Sequence, residues 1–309
     1  QRWDLVSGSV TGAHSLTVNG NGSYSMEWNS IAIAANVSNI VFTNGEFGMK
    51  YLDNAFQNPA TLVTVASNAK FDFWNGGFNG SLYLMPGVQV NIFTGQALTI
   101  VSGATLSGVG STINGDLTVG AGAIISPSAE SAIGSINVSG NVTLNGMTVL
   151  RLNGSGINDA IVSSNSITYG GILTLTNISG SPLAAGNSFQ LFNTTNANGS
   201  FASINPATPG TGLVWDLSQL SSGVIGVKAG TAEPVIGNPT VSGGNLIFSG
   251  TGGAPNGSYS VLTTTNIATP LANWTALMTN SFDASGNFSV TNAIAPGTPK
   301  QFYTIKQLP

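Results

Sequence analysis

The chain has 309 residues, of which only 6% are charged, and its net charge is −4. Its 7 lysines and arginines are scattered singly, so no basic patch exists to neutralise phosphates and nucleic acid is not expected as a partner. Cysteine is absent, which excludes disulfides and thiolate metal sites. No apolar run approaches the ~20 residues of a membrane-spanning helix, so no membrane span is predicted. We expect neither a metal nor a cofactor.

The N-terminal segment, residues 1–14, alternates apolar and polar residues in the sequence QRWDLVSGSV. Trp3, Leu5 and Val10 predict a strand that could add to a neighbouring subunit, which makes them the candidate self-assembly residues. The single histidine, His14, is interpreted as a turn residue, with a metal site there as the alternative. Because the chain begins with Gln1 and not with Met, we expect that a signal peptide has been removed.

Residues 15–230 contain short strands with apolar residues at i and i+2, separated by Asn-Gly, Ser-Gly and Gly-x-Gly turns. The apolar pairs recur roughly every 14 to 19 residues, which is typical of stacked coils. The pattern predicts a β-solenoid with Leu, Ile and Val inside, Thr, Ser and Asn outside, and Gly and Asn at corners where φ > 0 is needed. The pairs are Leu82/Leu84, Leu98/Ile100, Leu117/Val119, Ile136/Val138 and Leu150/Leu152.

The densest aromatic cluster is FDFWNGGFNG, residues 71–80. Aromatic faces stack on sugars, so Phe71, Phe73, Trp74 and Phe78 are candidate glycan-binding residues, with Trp74 and Phe78 as the centre of the patch. The alternative interpretation places Phe71 and Phe73 inside the solenoid and Trp74 at the edge of a coil.

Acidic residues are the only candidates for catalysis, and they lie far apart in sequence. Enzymes that cleave polysaccharides on solenoid scaffolds need clustered acids, or an acid with a cation. Only Asp53 and Asp72 have about the spacing of one coil, so we interpret the acids as surface or turn residues and expect no enzyme activity. The candidates are Asp53, Asp72, Asp116, Glu130 and Asp159.

Residues 231–309 change in pattern and predict a small antiparallel β-sandwich. Its predicted strands are 245–249, 258–264, 274–278, 287–291 and 301–305. Its predicted core consists of Tyr259, Trp274, Phe282, Phe288, Phe302 and Tyr303.

The runs LTVGAGAIISPSAESAIGSINVSGNVTLNG and FQLFNTTNANGSFASINPATPGTGLVWDLSQLSSGVIGV resemble the β-helical passenger regions of autotransporter-type proteins secreted by Gram-negative bacteria. SYSVLTTTN, NWTALMTN, GNFSVTNA and QFYTI are similar to a fibronectin-III-like module. The resemblance implies an all-β fold and an extracellular or cell-surface location. The family's membrane barrel is not expected, because no series of alternating strands of ~10 residues follows.

Three functions remain open at this stage. The first is a non-enzymatic subunit of a surface fibre, filament or sheath, in which copies of the chain bind one another head-to-tail or by strand addition. The second is an adhesin that binds extracellular glycans, and the third is a polysaccharide-active enzyme.

Overall fold

A computed structural model describes residues 2–11, 14–20, 25–50, 55–75, 77–127, 133–154, 156–230, 233–297 and 300–308. The fold is all-β, as the sequence predicts. It divides into two compact units, residues 1–228 and 229–309. No helix in the described ranges is long and apolar enough to cross a membrane.

The first unit is a solenoid whose coils contribute parallel strands to three sheets. Sheet 1 contains β1 (Arg2–Val10), β3 (Ser25–Ile33), β5 (Glu46–Lys50), β7 (Lys70–Asn75), β10 (Gln89–Ile92), β13 (Ser111–Asn114), β16 (Ser135–Val138), β19 (Ala160–Ser163) and β23 (Phe192–Asn193). Sheet 2 contains β2 (Ser15–Asn19), β4 (Asn39–Thr43), β6 (Leu62–Val65), β9 (Ser81–Leu84), β12 (Thr105–Gly108), β15 (Ile124–Ser126), β18 (Met147–Leu152), β21 (Ile172–Asn177) and β25 (Ser203–Asn205). Sheet 3 contains β8 (Gly77–Phe78), β11 (Ala97–Ile100), β14 (Asp116–Val119), β17 (Val142–Leu144), β20 (Ser166–Tyr169) and β24 (Asn196–Gly199).

Most coils are longer than the predicted 14 to 19 residues. Leu117 pairs with Leu98 in the preceding coil and with Val142 in the following one. Side chains that hydrogen-bond between neighbouring coils are 19, 23 or 25 residues apart in sequence. The prediction was too short because each coil carries up to three apolar pairs, and these belong to different sheets.

The interior is a continuous apolar stack, as predicted. The inward residues of the central coils are at most 2% exposed, so each stabilises the fold by about 1.5–3 kcal/mol through burial. They include Leu117, Val119, Ile136, Val138, Val142 and Leu144.

The predicted glycine corners are present, and Gly87, Gly103 and Gly122 have the expected positive φ, but two other corners require glycine for a different physical reason. Gly140 and Gly146 do not have a positive φ. A Cβ at Gly140 would lie 2.6 Å from the carbonyl oxygen of Gly115, and one at Gly146 would lie 2.3 Å from that of Ala123. Close approach of the neighbouring coil therefore requires glycine at both corners.

The end of the solenoid formed by its last coils is covered by its own chain. An antiparallel ribbon packs there, and Phe189 in it is fully buried. The hydroxyl of Tyr169 donates a hydrogen bond of 3.1 Å to the carbonyl oxygen of Leu220, and burial raises the pKa of Tyr169. The ribbon consists of β22 (Ser188–Gln190), β26 (Leu213–Asp216) and β27 (Val224–Ala229), with a 3₁₀ turn at Leu220–Ser222.

The second unit has two antiparallel sheets around a separate core. One sheet contains β28 (Val235–Ile236), β29 (Thr240–Ser242), β30 (Asn245–Thr251) and β33 (Phe288–Ala293). The other contains β31 (Ser258–Thr264), β32 (Thr275–Ser281) and β34 (Phe302–Gln307), and a 3₁₀ turn lies at Leu271–Asn273. The core consists of Phe248, Tyr259, Val261, Phe282, Phe288 and Val290.

Two predicted core residues of this unit lie elsewhere. Trp274 and Phe302 are only partly buried and do not belong to the core cluster. The Trp274 indole N–H instead donates a hydrogen bond of 2.8 Å to the carbonyl oxygen of Thr269, which fixes the turn before β32. Tyr303 packs against the core but is itself only partly buried.

Replacing one stacked core residue should destabilise the solenoid strongly. We expect Leu117→Ala to lower the free energy of unfolding by about 2–5 kcal/mol, because it leaves a cavity between two coils. Thr118→Ala, on the outer face of the same strand, is the matched control and should cost less than about 1 kcal/mol. Urea denaturation followed by circular dichroism measures both, and equal effects would contradict the inward assignment.

Candidate functional site

Four side chains from four successive coils form a column on the outer face of sheet 1, named here the aromatic column: Glu27, Lys50, Trp74 and Phe93. Lys50 Nζ lies 2.5 Å from Glu27 Oε1 and 4.0 Å from the centre of the Trp74 ring. The Trp74 and Phe93 rings are stacked, with centroids 4.8 Å apart and planes inclined by 14°. Lys50 precedes Trp74 by one coil and Phe93 follows it by one coil, so the column covers both faces of the indole.

Three of the four residues predicted as a glycan-binding patch are buried in the solenoid, in agreement with the alternative interpretation for Phe71 and Phe73. Phe71, Phe73 and Phe78 are at most 1% exposed and lie in the solenoid core, because alternation along β7 turns both of its phenylalanines inward. Trp74 points outward but is enclosed in the aromatic column. The exposed aromatic face belongs to Phe93, which the prediction did not include.

Beside the aromatic column, a ladder of polar side chains runs along the same sheet. The Asn91 amide donates a hydrogen bond of 2.7 Å to Asp72 Oδ1, and the Asn114 amide donates one of 2.8 Å to Asn91 Oδ1. Each member lies one coil from the next. Asp72 is thus the last acceptor in a row of hydrogen bonds that joins three successive coils.

Asp72 of this ladder also changes the pKa of a second carboxyl group, that of Glu46. A side-chain hydrogen bond to Asp72 raises the pKa of Glu46, with further upward contributions from burial and from the negative charge of Asp72. The positive charge of Lys70 acts in the opposite direction. Proximity to Asp72 therefore makes Glu46 easier to protonate than an isolated glutamate.

A second ladder begins at Asp116, in the corner between sheets 1 and 3. Asp116 Oδ1 accepts hydrogen bonds from the backbone N–H of Asn141 at 2.7 Å and from its side-chain amide at 3.3 Å. Asn141 Oδ1 in turn accepts from Asn165 at 2.8 Å and from Ser166 at 2.6 Å. The sequence interpretation of Asp116 as an ordinary surface charge is wrong, because its carboxylate joins successive coils.

Asp159 is a completely buried structural anchor. Its carboxylate accepts hydrogen bonds from Arg151 Nε at 2.9 Å and Arg151 Nη2 at 3.1 Å. It also accepts the backbone N–H groups of Arg151 and Gly134, both at 3.0 Å. Four donors on one carboxylate account for its burial, and they fix the loop that joins β18 to β19. The interpretation of Asp159 as a surface or turn acid is therefore also wrong.

A groove of about 490 Å³ lies where the aromatic column meets the second ladder. The residues that line it include Phe93, Gln96, Asn114, Asp116 and Ser139. Phe93 is 53% exposed and is the one exposed aromatic side chain among the described residues. The groove thus combines a flat apolar ring with amide, hydroxyl and carboxylate groups.

His14 does not belong to a site in the described part of the chain. His14 is exposed, and its carbonyl oxygen accepts hydrogen bonds from Ser38. Asp53 and Glu130 lie outside the described residues. Within the described ranges, no three His, Cys, Asp or Glu side chains are close enough together to hold a metal ion.

The N-terminal segment is part of the solenoid and not a free arm. Trp3 pairs with Met26 and Leu5 with Trp28 in the parallel register of β1 and β3, although their side chains lie outside the description. Val10 packs against the solenoid core of its own chain, so it is not available to insert into a neighbour.

Comparison with known proteins gives no relative. No family model matches the chain, and neither curated proteins nor solved structures contain a significant match.

Sequence reasoning missed Phe93 and the two asparagine ladders. A signal for Phe93 was available, because the alternation Val90, Asn91, Ile92 places the next residue outward. The first ladder had only a partial signal, because Asp72 and Asn91 are 19 residues apart, at the upper end of the predicted period, whereas Asn91 and Asn114 are 23 residues apart and fall outside it.

Removal of the buried Asp159 carboxylate should lower the free energy of unfolding of the solenoid. We expect Asp159→Ala to destabilise the solenoid by about 3–5 kcal/mol, because it leaves the Arg151 guanidinium and two backbone N–H groups without their acceptor. Asp216→Ala removes the acid of an exposed pair, Lys228 Nζ to Asp216 Oδ1 at 3.5 Å, and should have a much smaller effect. Urea midpoints of the two variants provide the comparison, and similar losses would contradict the structural role of Asp159.

Neutralising Glu46 should stabilise the protein at neutral pH. A raised pKa means that the fold favours the protonated acid, so the contribution of Glu46 is present below its unfolded pKa and is lost as pH rises through its folded pKa. Glu46→Gln keeps a donor for Asp72 without the charge, and its urea midpoint should exceed that of the parent at pH 7 and converge with it near pH 3. Glu233→Gln, at an exposed position, is the charge-matched control. A difference that grows as the pH falls would refute the assignment.

Proposed function

We propose that this chain is a non-enzymatic structural protein of an extracellular bacterial surface, in which the solenoid is a stiff rod and copies associate with one another. The observation that carries the proposal is that the polar side chains form hydrogen bonds within the chain. Asp72, Asp116 and Asp159, three of the five acidic candidates for catalysis, all accept hydrogen bonds from other parts of the chain.

The surface chemistry supports an extended extracellular element. With 6% charged residues, the outer faces depend on Ser, Thr and Asn for solvation, and their amides pair between coils. Such side-chain ladders add lateral hydrogen bonds to those of the backbone and stiffen the stack. The location at a Gram-negative cell surface, like the likeness to autotransporter passengers, is part of the proposal and draws on the sequence resemblance.

The end strand supports association between copies. β1 pairs with β3 along one edge, and within the described part of the chain no strand lies along its other edge. An open strand edge accepts another strand through backbone hydrogen bonds. The opposite end of the solenoid is covered by the ribbon and the turn at Leu220–Ser222, so the two ends differ. We therefore assign the first contact between copies to the outer edge of β1.

Association through β1 can be tested by a charge on its edge. Deleting residues 1–10 is unsuitable, because it would only expose the edge of β3. Ser9 lies on β1 with an exposed side chain, and a lysine on an edge strand opposes strand addition. We expect the parent chain to form oligomers in sedimentation velocity runs across a concentration series, and Ser9→Lys to sediment as a monomer.

Ala284→Lys, in an exposed turn of the second unit, carries the same added charge and should associate like the parent. A parent chain that stays monomeric at every concentration would refute self-association. Equal association of Ser9→Lys and the parent would remove β1 as the contact.

A further inference from the structure

The corner between sheets 1 and 3 shortens sharply between two successive coils of the solenoid. In one coil, β10 and β11 are joined by residues 93–96, whereas in the next coil only Gly115 joins β13 to β14. Gly115 has φ +143°, and a Cβ there would lie 2.5 Å from Ile92 Cβ, so only glycine permits this short corner. The longer loop therefore projects beyond the coil that follows, and the groove lies beside it.

The aromatic column ends at this step. Lys50, Trp74 and Phe93 stack along the solenoid axis at 4.0 and 4.8 Å, and Phe93 is the last ring. In the following coil, the corner consists of Gly115, and one coil further on it begins at Ser139. Neither has a side chain that can continue the stack. The outward face of Phe93 is left as an apolar platform at the end of a rigid column.

The platform is held in position before any ligand binds. The Phe93 backbone N–H donates a hydrogen bond of 2.9 Å to the carbonyl oxygen of Phe73, and its carbonyl oxygen accepts one of 2.9 Å from Gln96. Stacking on Trp74 fixes the ring, and Lys50 fixes Trp74 from the other side. A ring fixed in this way loses little conformational entropy when a ligand stacks on it.

Polar groups surround the platform in a pattern that suits a sugar. Asn114 donates one amide hydrogen to Asn91, and an asparagine amide has further donor and acceptor sites. Asp116 receives its hydrogen bonds from Asn141, on the side of the following coil, and a carboxylate accepts about four. Gln96 and Ser139 add an amide and a hydroxyl to the lining.

We propose that this groove binds a neutral pyranose residue of a polysaccharide, with its C–H face stacked on Phe93 and its hydroxyls hydrogen-bonded to Asn114, Asp116 and Gln96. The ligand is uncharged because the residues lining the groove include one carboxylate and no lysine or arginine, which disfavours acidic sugars. The volume of about 490 Å³ falls within the ~300–1,000 Å³ of small-ligand sites. The proposal does not depend on self-association of the chain.

Native affinity electrophoresis tests the proposal with defined probes. Gels contain hydroxyethyl cellulose, glycogen or galactomannan as neutral polysaccharides, or polygalacturonate as an acidic one. We expect at least one neutral polysaccharide to retard the parent chain, and polygalacturonate not to. Phe93→Ala should weaken the affinity about 10-fold or more, whereas Phe93→Trp, which keeps a stacking face, should retain it.

Two further variants separate binding from folding. Gln96→Ala changes an exposed side chain of the groove and should weaken binding at least ~3-fold with an unchanged thermal midpoint. Ile267→Ala, which removes an exposed apolar side chain in the second unit, is the control and should bind like the parent. No retardation in any neutral gel would overturn the proposal, as would equal affinity of Phe93→Ala and the parent, or retardation by polygalacturonate alone.

Discussion

In-register parallel stacking of coils around a shared apolar core is the constraint on which the first unit depends. No coil can bury its inward Leu, Ile and Val residues alone, so each is stable only between two neighbours. Leu98, Leu117 and Val142 illustrate the constraint, since each lies directly against the next and all are at most 1% exposed. Because the strands cannot shift by one residue without turning their apolar side chains into water, the register also fixes every outward side chain.

The outward polar residues acquire their roles from this register. Asp72, Asn91 and Asn114 are remote in sequence, yet stacking sets them in one line where amide and carboxylate groups pair. The same alignment builds the aromatic column from Lys50, Trp74 and Phe93. Repetition therefore aligns the side chains that join neighbouring coils, and the short corner at Gly115 ends the aromatic column. The proposed binding groove lies beside that corner.

The sequence predicted what depends on local pattern. Alternation identified the inward residues of β14, β16 and β17, and a change of composition near Lys228 identified a second unit. Features that depend on coil length were not predictable, because the number of apolar pairs in each coil varies. For this reason the predicted period was too short for most coils, and the 23-residue step from Asn91 to Asn114 fell outside it. Phe78 was proposed for a surface patch, and Phe71 was left open between that patch and the core, because a dense aromatic cluster in sequence does not reveal which rings face inward.

The register itself can be measured directly, because the chain contains no native cysteine. Thr118 and Thr143 are paired on neighbouring strands of sheet 3, whereas Asn137 belongs to sheet 1. Directly opposed residues on neighbouring strands lie within the Cα distance that a disulfide allows. The account predicts that Thr118→Cys with Thr143→Cys oxidises rapidly to an intramolecular disulfide, and that Thr118→Cys with Asn137→Cys does not. Cross-linking of the second pair in preference to the first would contradict the stacking on which the account is built.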